Sequence, residues 1–373
     1  MQFIDLKAQY AALEKDIRAA IDGVLAHGQF IMGPEVRELE AAMAEYVGVK
    51  HAIGCSSGTD ALLLPLMAWG VGPGDAVFTT PFTFIATAEV VSLLGATPVF
   101  VDVDPRTFNI DPKALETAID EVVAAGELRP RCVIPVDLFG LPADYDELRA
   151  VADSHGMLVL EDAAQSFGAT YRGRRAGSLG HAAATSFFPA KPLGAYGDGG
   201  AVFTDDDELA ARLDSIRVHG KGSDKYDNIR VGVNARLDTM QAAILKVKLA
   251  AFPGELERRQ VAAQRYSQRL GNLVETPVVP DGYVSSWAQY SVLTDRRDHL
   301  QAGLKAAGVP TAVYYPKPLH QQTAYASLGY STGDFPVSES CAARIISLPM
   351  HPYLDEATQD RVVDAVAEVL HAA

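Results

Sequence analysis

The chain has 373 residues, 48% hydrophobic and 21% charged, a globular balance that excludes wholesale disorder. Its formal charge is −15. That argues against a general nucleic-acid binder, whose phosphate contacts need a basic face, but leaves room for a small anion held by a few positioned donors.

Tyr10, Leu13, Ile17, Ile21 and Val24 recur at spacings of three and four, which predicts a helix ending at Gly28; Pro34 opens a second helix that ends near Gly48. Short apolar runs and helical stretches then alternate. Strands are expected over 51–55, 76–80, 97–103, 132–137 and 158–162, and helices over 59–69, 86–94, 112–123 and 145–155, with Asp111 and Asp144 as caps. Near-continuous apolar strands separated by helices predict a mainly parallel sheet covered on both faces. Next come strands over 185–188 and 201–204 around a glycine-rich turn, a helix over 208–218 and a polar loop over 220–228. A long helical region over 239–270 follows, with a kink or break at Pro253-Gly254. The last hundred residues read as α+β, with strands over 289–293 and 311–315 and helices over 298–307, 337–346 and 356–371. This divides the chain near 250 into an α/β domain, 1–250, and a smaller α+β domain, 251–373.

Cys55, Cys132 and Cys341 form no C-x-x-C and no zinc spacing, so no metal site is expected and buried thiols of a reducing compartment are. No run approaches the ~18 apolar residues of a membrane span. The segment from Met1 to Lys7 lacks a signal-peptide core. The expected location is cytoplasmic.

Four segments could carry chemistry. In 158–165, Asp162 would stand at the carboxyl end of a parallel strand, where open α/β sheets bind ligands, or it caps a helix. In 185–200, Lys191 sits between a strand end and Pro192, held toward extended geometry, with glycines close behind; a solvated lysine is the plain alternative. Ser56-Ser57-Gly58-Thr59-Asp60 leads from a strand into a helix start, an anion site or a simple cap. Asn234 and Arg236 alternate on one side of an extended segment before the long helix, which is also what an ordinary capping segment looks like. Taken together, a pinned lysine, a strand-end carboxylate and an upstream phosphate cradle suit pyridoxal 5'-phosphate. Lys191 would capture the cofactor and shuttle a proton, Asp162 would keep the pyridine nitrogen protonated, and the 58–61 amides with Ser186 would take the phosphate.

The chain resembles the DegT/StrS-type family of pyridoxal-phosphate-dependent nucleotide-sugar aminotransferases. The resemblance lies in GTDAL (58–62), the 83–89 stretch, EDAAQSFGA (161–169), SFFPAKPLGAYGDGGA (186–201), GVNARLDTMQAAIL (232–245) and SLPMHPYL (347–354). It implies the fold-type-I architecture, a large domain with a mixed, mainly parallel sheet plus a smaller α+β domain, in a homodimer with shared active sites. Lys191 and Asp162 then match the catalytic pair. Thr59, Asp60 and Ser186 match phosphate contacts, Gln165 a residue near the ring hydroxyl, and Phe84 an aromatic over the ring, unless it merely packs in the core. Asn234 matches a phosphate contact from the neighbouring subunit, and Arg236 a substrate-side oxyanion fork. Members with histidine at the lysine position are dehydratases, so Lys191 implies amino transfer from L-glutamate to a keto nucleotide sugar, through pyridoxamine 5'-phosphate.

The 186–200, 229–244 and 308–320 stretches are most similar to the branch that aminates C3 of UDP-2-acetamido-2-deoxy-3-oxo-glucuronate for surface polysaccharide such as lipopolysaccharide O-antigen. That branch commonly reads His-Tyr-Pro where this chain has Tyr314-Tyr315-Pro316, and a phenol offers no imidazolium. His320, six residues on, is either a substrate neighbour or a packed loop histidine. Arg172, Arg174 and Arg175 are read as a solvated turn rather than a diphosphate site. The alternatives are a dTDP-linked 3-keto- or 4-keto-6-deoxysugar acceptor and, more remotely, a non-catalytic regulatory or binding protein on the same scaffold.

Overall fold

The protein is described by a computed structural model covering residues 1–224 and 226–371. Helix α1 (Leu6–His27) begins where Asp5 accepts the Ala8 N–H at 2.9 Å and stops at Gly28, whose φ of 70° ends the helix without Cβ strain. α2 (Pro34–Val47) has proline in its first turn and Gly48 at its end. β1 (His51–Cys55), α3 (Gly58–Ala68), β2 (Asp75–Thr79), α4 (Ala86–Leu93), β3 (Thr97–Phe100), α5 (Pro112–Ala125), β4 (Arg129–Ile134), α6 (Tyr145–Ser154) and β5 (Leu158–Asp162) then alternate as expected. After them come β6 (Thr170–Tyr171), β7 (Arg174–Arg175), β8 (Ala182–Ser186), β9 (Gly200–Thr204), α7 (Asp207–Ile216) and α8 (Thr239–Leu270). The chain closes with β10 (Tyr283–Val284), β11 (Tyr290–Leu293), α9 (Arg297–Ala306), α10 (Pro336–Arg344), β12 (Ile345–Leu348) and α11 (Glu356–His371).

Seven strands form one sheet in the order β1-β9-β8-β5-β4-β2-β3. Only β9 runs against the others, so the sheet is mixed and mainly parallel. Its strands are apolar on both faces because helices cover both. Leu62, Leu66, Val90 and Leu213 pack on one face, and Ile119, Tyr145 and Leu148 on the other. Each such side chain contributes roughly 1.5–3 kcal/mol by leaving water. The first half of α8 joins α2 through Leu245 and Phe252, while its second half places Tyr266 and Leu270 against β11, α9 and α11. The parallel order aims the ends of β2, β4 and β5 at one edge, where the site lies.

Several expectations are corrected. α8 is unbroken at Pro253. Proline forfeits only the bond to the Leu249 carbonyl, and Phe252, Glu255 and Arg259, all buried, hold both halves in place. Residues 311–315 are not a strand: Ala312 makes a single bridge to Ser347, and the flanking Pro310 and Pro316 offer no N–H. Residues 345–348 form β12 rather than the tail of a helix, because Ile345, Ile346 and Leu348 are all buried against β11 and neighbouring helices. β3 ends at Phe100, beyond which Val103 makes only an isolated bridge to Ile110. A small sheet ordered β10-β6-β7 was not expected. Of the 220–228 loop, position 225 lies outside the described residues. Among the described residues, no helix is long and apolar enough to cross a membrane.

Candidate active site

Side chains alternate along β5, so Glu161 and Asp162 face opposite sides of the sheet. Glu161 accepts the Gly177 and Leu179 amides at 2.6 and 2.9 Å. Asp162 is 5% exposed and accepts Thr87 Oγ1 at 2.9 Å and the Ala164 N–H at 3.2 Å. Burial pushes its pKa up, while those two bonds and the Lys191 charge pull it back. Lys191 is half-buried in the turn after β8, its amide donating to the Phe188 carbonyl at 2.8 Å. Burial lowers the pKa of its amine and the Asp162 charge opposes that. The two groups that the sequence paired at a distance of 29 positions are thus electrostatic neighbours. The lysine turn is clamped from α8: Gln241 Oε1 accepts the Tyr196 N–H at 2.9 Å, and buried Lys248 donates to the Gly194 carbonyl.

Ser57 caps α3 by accepting the Asp60 N–H at 3.0 Å. The Asp60 carboxylate accepts from the Ser56 and Ser57 hydroxyls, so both polar groups of Asp60 are engaged inside the loop. The N–H groups of Gly58 and Thr59 and the Thr59 hydroxyl have no acceptor among the described residues. Ser186, at the end of β8, lies against Gly58; a Cβ there would stand 2.6 Å from Ser186 Cβ. Two free amides and two hydroxyls at a helix start form a dianion cradle.

Gln165 is buried and its Oε1 accepts the Phe139 N–H at 2.8 Å, leaving its NH2 group as donor. The Tyr315 phenol faces Gln165 and Asp162; burial and the Asp162 charge push its pKa up. Phe84 is 54% exposed and its ring centre is 6.4 Å from that of Tyr315, so core packing does not explain it. Tyr314 is half-buried with its ring 6.3 Å from Phe3. Arg236 is half-buried, and its Nε is buried without a protein partner. Asn234 is exposed, on a segment held by an Asn234–Val218 bridge and an Ala235 N–H bond to the Arg217 carbonyl of 3.0 Å.

Of the two readings of His320, its surroundings match the packed loop histidine. It is 3% exposed, its Nε2 is 3.0 Å from Glu339 Oε1 and its ring centre 4.7 Å from that of Phe335. Arg172 and Arg174 commit their charges to Asp146 and to the Tyr171 ring, and Arg175 covers Tyr46. Two residues escaped the sequence reading. Thr87 is a buried hydroxyl on a short apolar helix. Asp137, just beyond β4, is fully buried and accepts from Tyr145 Oη at 2.8 Å, Ser166 Oγ at 2.7 Å and the Ala143 N–H at 3.0 Å. Its signal was the same as that of Asp162, an acid closing an apolar strand.

Among the described residues, a lysine amine and helix-start amides without a hydrogen-bond partner, with a buried carboxylate and an exposed aromatic face, fit pyridoxal phosphate in charge and donor type. A model of the DegT/DnrJ/EryC1/StrS aminotransferase family matches residues 11–367, and the chain belongs to that family. Its aminotransferases depend on pyridoxal phosphate, and solved relatives carry it in PLP and PMP forms. The chain is 52% identical to the UDP-2-acetamido-2-deoxy-3-oxo-D-glucuronate aminotransferase of Pseudomonas aeruginosa, over 96% of this chain and 97% of that protein. It is 44% identical to a dTDP-3-amino-3,4,6-trideoxy-alpha-D-glucose transaminase of Streptomyces venezuelae, over 98% and 95%. A solved DegT/DnrJ/EryC1/StrS aminotransferase from Brucella abortus superposes with a TM-score of 0.97 at 53% identity, over 99% of both chains. This is the fold-type-I architecture of a sugar aminotransferase.

Proposed function

We propose that the enzyme transfers the amino group of L-glutamate to C3 of UDP-2-acetamido-2-deoxy-3-oxo-D-glucuronate, in the cytoplasm, to supply surface polysaccharide synthesis. The observation that carries the reading is the buried Asp162 facing the Lys191 amine beside the open α3 cradle. Bound pyridoxal phosphate supplies an electron sink that stores the amino group between donor and acceptor. Lys191 Nζ would be the amine that holds the cofactor and the group that takes and returns a proton. Asp162 holds the proton on the ring nitrogen, and the Gln165 amide donates toward the ring hydroxyl. Phe84 covers one ring face. Thr59, Ser186 and the first α3 amides bind the phosphate, while Asp60 acts by holding the two serine hydroxyls of the loop. Asn234 reaches the phosphate of the neighbouring subunit in a homodimer. Arg236 offers its fork to the sugar carboxylate or the diphosphate, with Tyr314 and Tyr315 lining the same approach. The cofactor-binding unit is 1–250 and the smaller unit 251–373.

The 52% identity to the glucuronate enzyme supports the acceptor. A dTDP-linked keto-6-deoxysugar is the second reading, favoured by the phenol of Tyr314 where an imidazolium would suit a carboxylate. Purified holoenzyme given glutamate and each acceptor in turn separates them; amination of the dTDP sugar alone overturns the first reading. Borohydride is expected to fix the cofactor on the peptide containing Lys191. Protein that stays colourless after pyridoxal phosphate is added would refute catalysis and favour a binding role.

A further inference from the structure

At the lysine turn, Lys191, Pro189 and Pro192 form one wall of a small cavity also lined by Gln9, Arg259 and His351. These last three belong to α1, α8 and the segment after β12, and each is more than nine-tenths buried. Each keeps one buried polar atom without a partner among the described residues: Gln9 Oε1, Arg259 Nε and His351 Nδ1. Two of their other polar groups are engaged. Gln9 Nε2 donates to both Glu255 oxygens at 2.9–3.0 Å, which fixes its Oε1 as the free acceptor, and Arg259 Nη1 donates to the Trp287 carbonyl at 2.9 Å.

Unpaired buried groups of this kind cost about 1–3 kcal/mol each, so three around one space call for a common partner. Its chemistry follows from theirs. Arg259 Nε–H needs an acceptor and repels a cation. Gln9 Oε1 needs a donor and repels an anion. Burial drives the His351 pKa down to about 4, so its imidazole is neutral and Nδ1 can accept. The free space is about 10 Å³, the room of one water molecule. Glu255, buried alongside, balances the Arg259 charge.

We propose that this cavity is a single-water site, in which one water accepts from Arg259 Nε–H and donates to Gln9 Oε1 and His351 Nδ1, fastening three elements at the turn that carries Lys191. The water completes the polar pairing of α1, α8 and the His351 segment, and the wall they form limits how far the turn can recoil. The site stands whether or not Lys191 captures the cofactor; its effect on capture rests on that reading.

A crystal structure of the full-length holoenzyme that resolves ordered solvent is expected to show one water within hydrogen-bond distance of all three atoms. A dry cavity, or a side chain turned into it, overturns the site. The positioning effect is read from the rate at which apoenzyme develops its visible band on adding pyridoxal phosphate. His351→Leu is expected to slow that rate several-fold and His351→Gln, which keeps an acceptor, to restore it. Equal rates in His351→Leu and the unaltered enzyme overturn the positioning role. If His351→Leu does not fold, Gln9→Met, which removes the Oε1 acceptor, carries the same expectation in rate.

Discussion

Thr87 Oγ1 donates to Asp162 Oδ2 at 2.9 Å, joining the first turn of α4 to the last residue of β5. The carboxylate is there because a strand buried on both faces ends at the sheet edge. Burial alone would favour its neutral form; the hydroxyl and the Ala164 N–H favour the charged one. The second Thr87 neighbour, Thr83 Oγ1 at 3.2 Å, fixes the rotamer that makes this bond.

Thr87→Val keeps the shape and deletes the donor. A hydrogen bond to a charged group is worth about 1.5–3 kcal/mol, so kcat/KM is expected to fall roughly 10- to 100-fold. Thr87→Ser should recover most of the loss. Asp162→Asn removes the charge itself and should cost more than Thr87→Val. Steady-state kinetics of the three variants checks the order; an unimpaired Asp162→Asn enzyme removes Asp162 from the mechanism.

Lys191 must be neutral to attack the cofactor aldehyde. Burial holds its amine below the usual lysine range and the Asp162 charge pulls it back up. The rate of band formation in apoenzyme should therefore rise with pH to a midpoint below about 10.4. In Asp162→Asn the opposing charge is gone, so the midpoint should move lower still. Stopped-flow mixing across a pH series measures both midpoints, and a shift upward in the variant contradicts the pairing.

Asp137 carries a pH signature of stability. Burial pushes its carboxyl up to about 7, against the donors Ser166, Ala143 and Tyr145, and the Asp162 charge adds to the rise. The folded state thus binds the proton more tightly than the unfolded chain, whose carboxyl titrates near 4. The stabilisation is full below pH ~4 and is lost as pH rises through about 7. Asp137→Asn removes the titrating carboxyl and should flatten this slope in apoenzyme, while the loss of some Ser166 and Tyr145 bonding lowers stability at every pH. Urea unfolding over the pH range tests it: parallel pH curves for the two proteins would mean that Asp137 titrates normally.

Local pattern determined what could be read from the chain alone. β1 and β5 fall on the expected 51–55 and 158–162 because each is a short apolar run closed by a polar residue. The places of Lys191, Asp162 and the α3 start in the fold were legible because a strand end, a proline and a glycine mark them locally. The failures involve partners distant in sequence. β12 keeps the apolar spacing of the helix before it, and only its pairing of Leu348 with Tyr290 makes it a strand. β6 exists because Tyr171 pairs with Tyr283. His320 reads as a candidate ligand until Glu339 and Phe335 fold over it. Asp137 reads locally as the end of a strand, and its hydrogen bonding depends on Ser166 and Tyr145 arriving from elsewhere.

Two glycines separate what the site needs from what a helix tolerates. A Cβ at Gly58 would meet Ser186 Cβ at 2.6 Å and Oγ at 2.9 Å. Oγ could rotate away but Cβ moves only with the backbone, so Ser186 must shift off the start of α3, and such overpacking costs about 1–3 kcal/mol. If Ser186 and the α3 amides bind one phosphate as proposed, Gly58→Ala should weaken pyridoxal phosphate binding by more than it lowers the thermal midpoint of the apoenzyme. Gly23, exposed inside α1, has nothing within 4 Å of the same added atom and no positive φ. There alanine only removes backbone freedom from the unfolded chain, and Gly23→Ala should stabilise by about 0.5–1 kcal/mol with cofactor affinity unchanged. Thermal unfolding and absorbance titration of both variants measure the contrast. If Gly58→Ala loses stability and keeps full affinity, the Gly58–Ser186 contact is scaffold alone and the phosphate is held elsewhere.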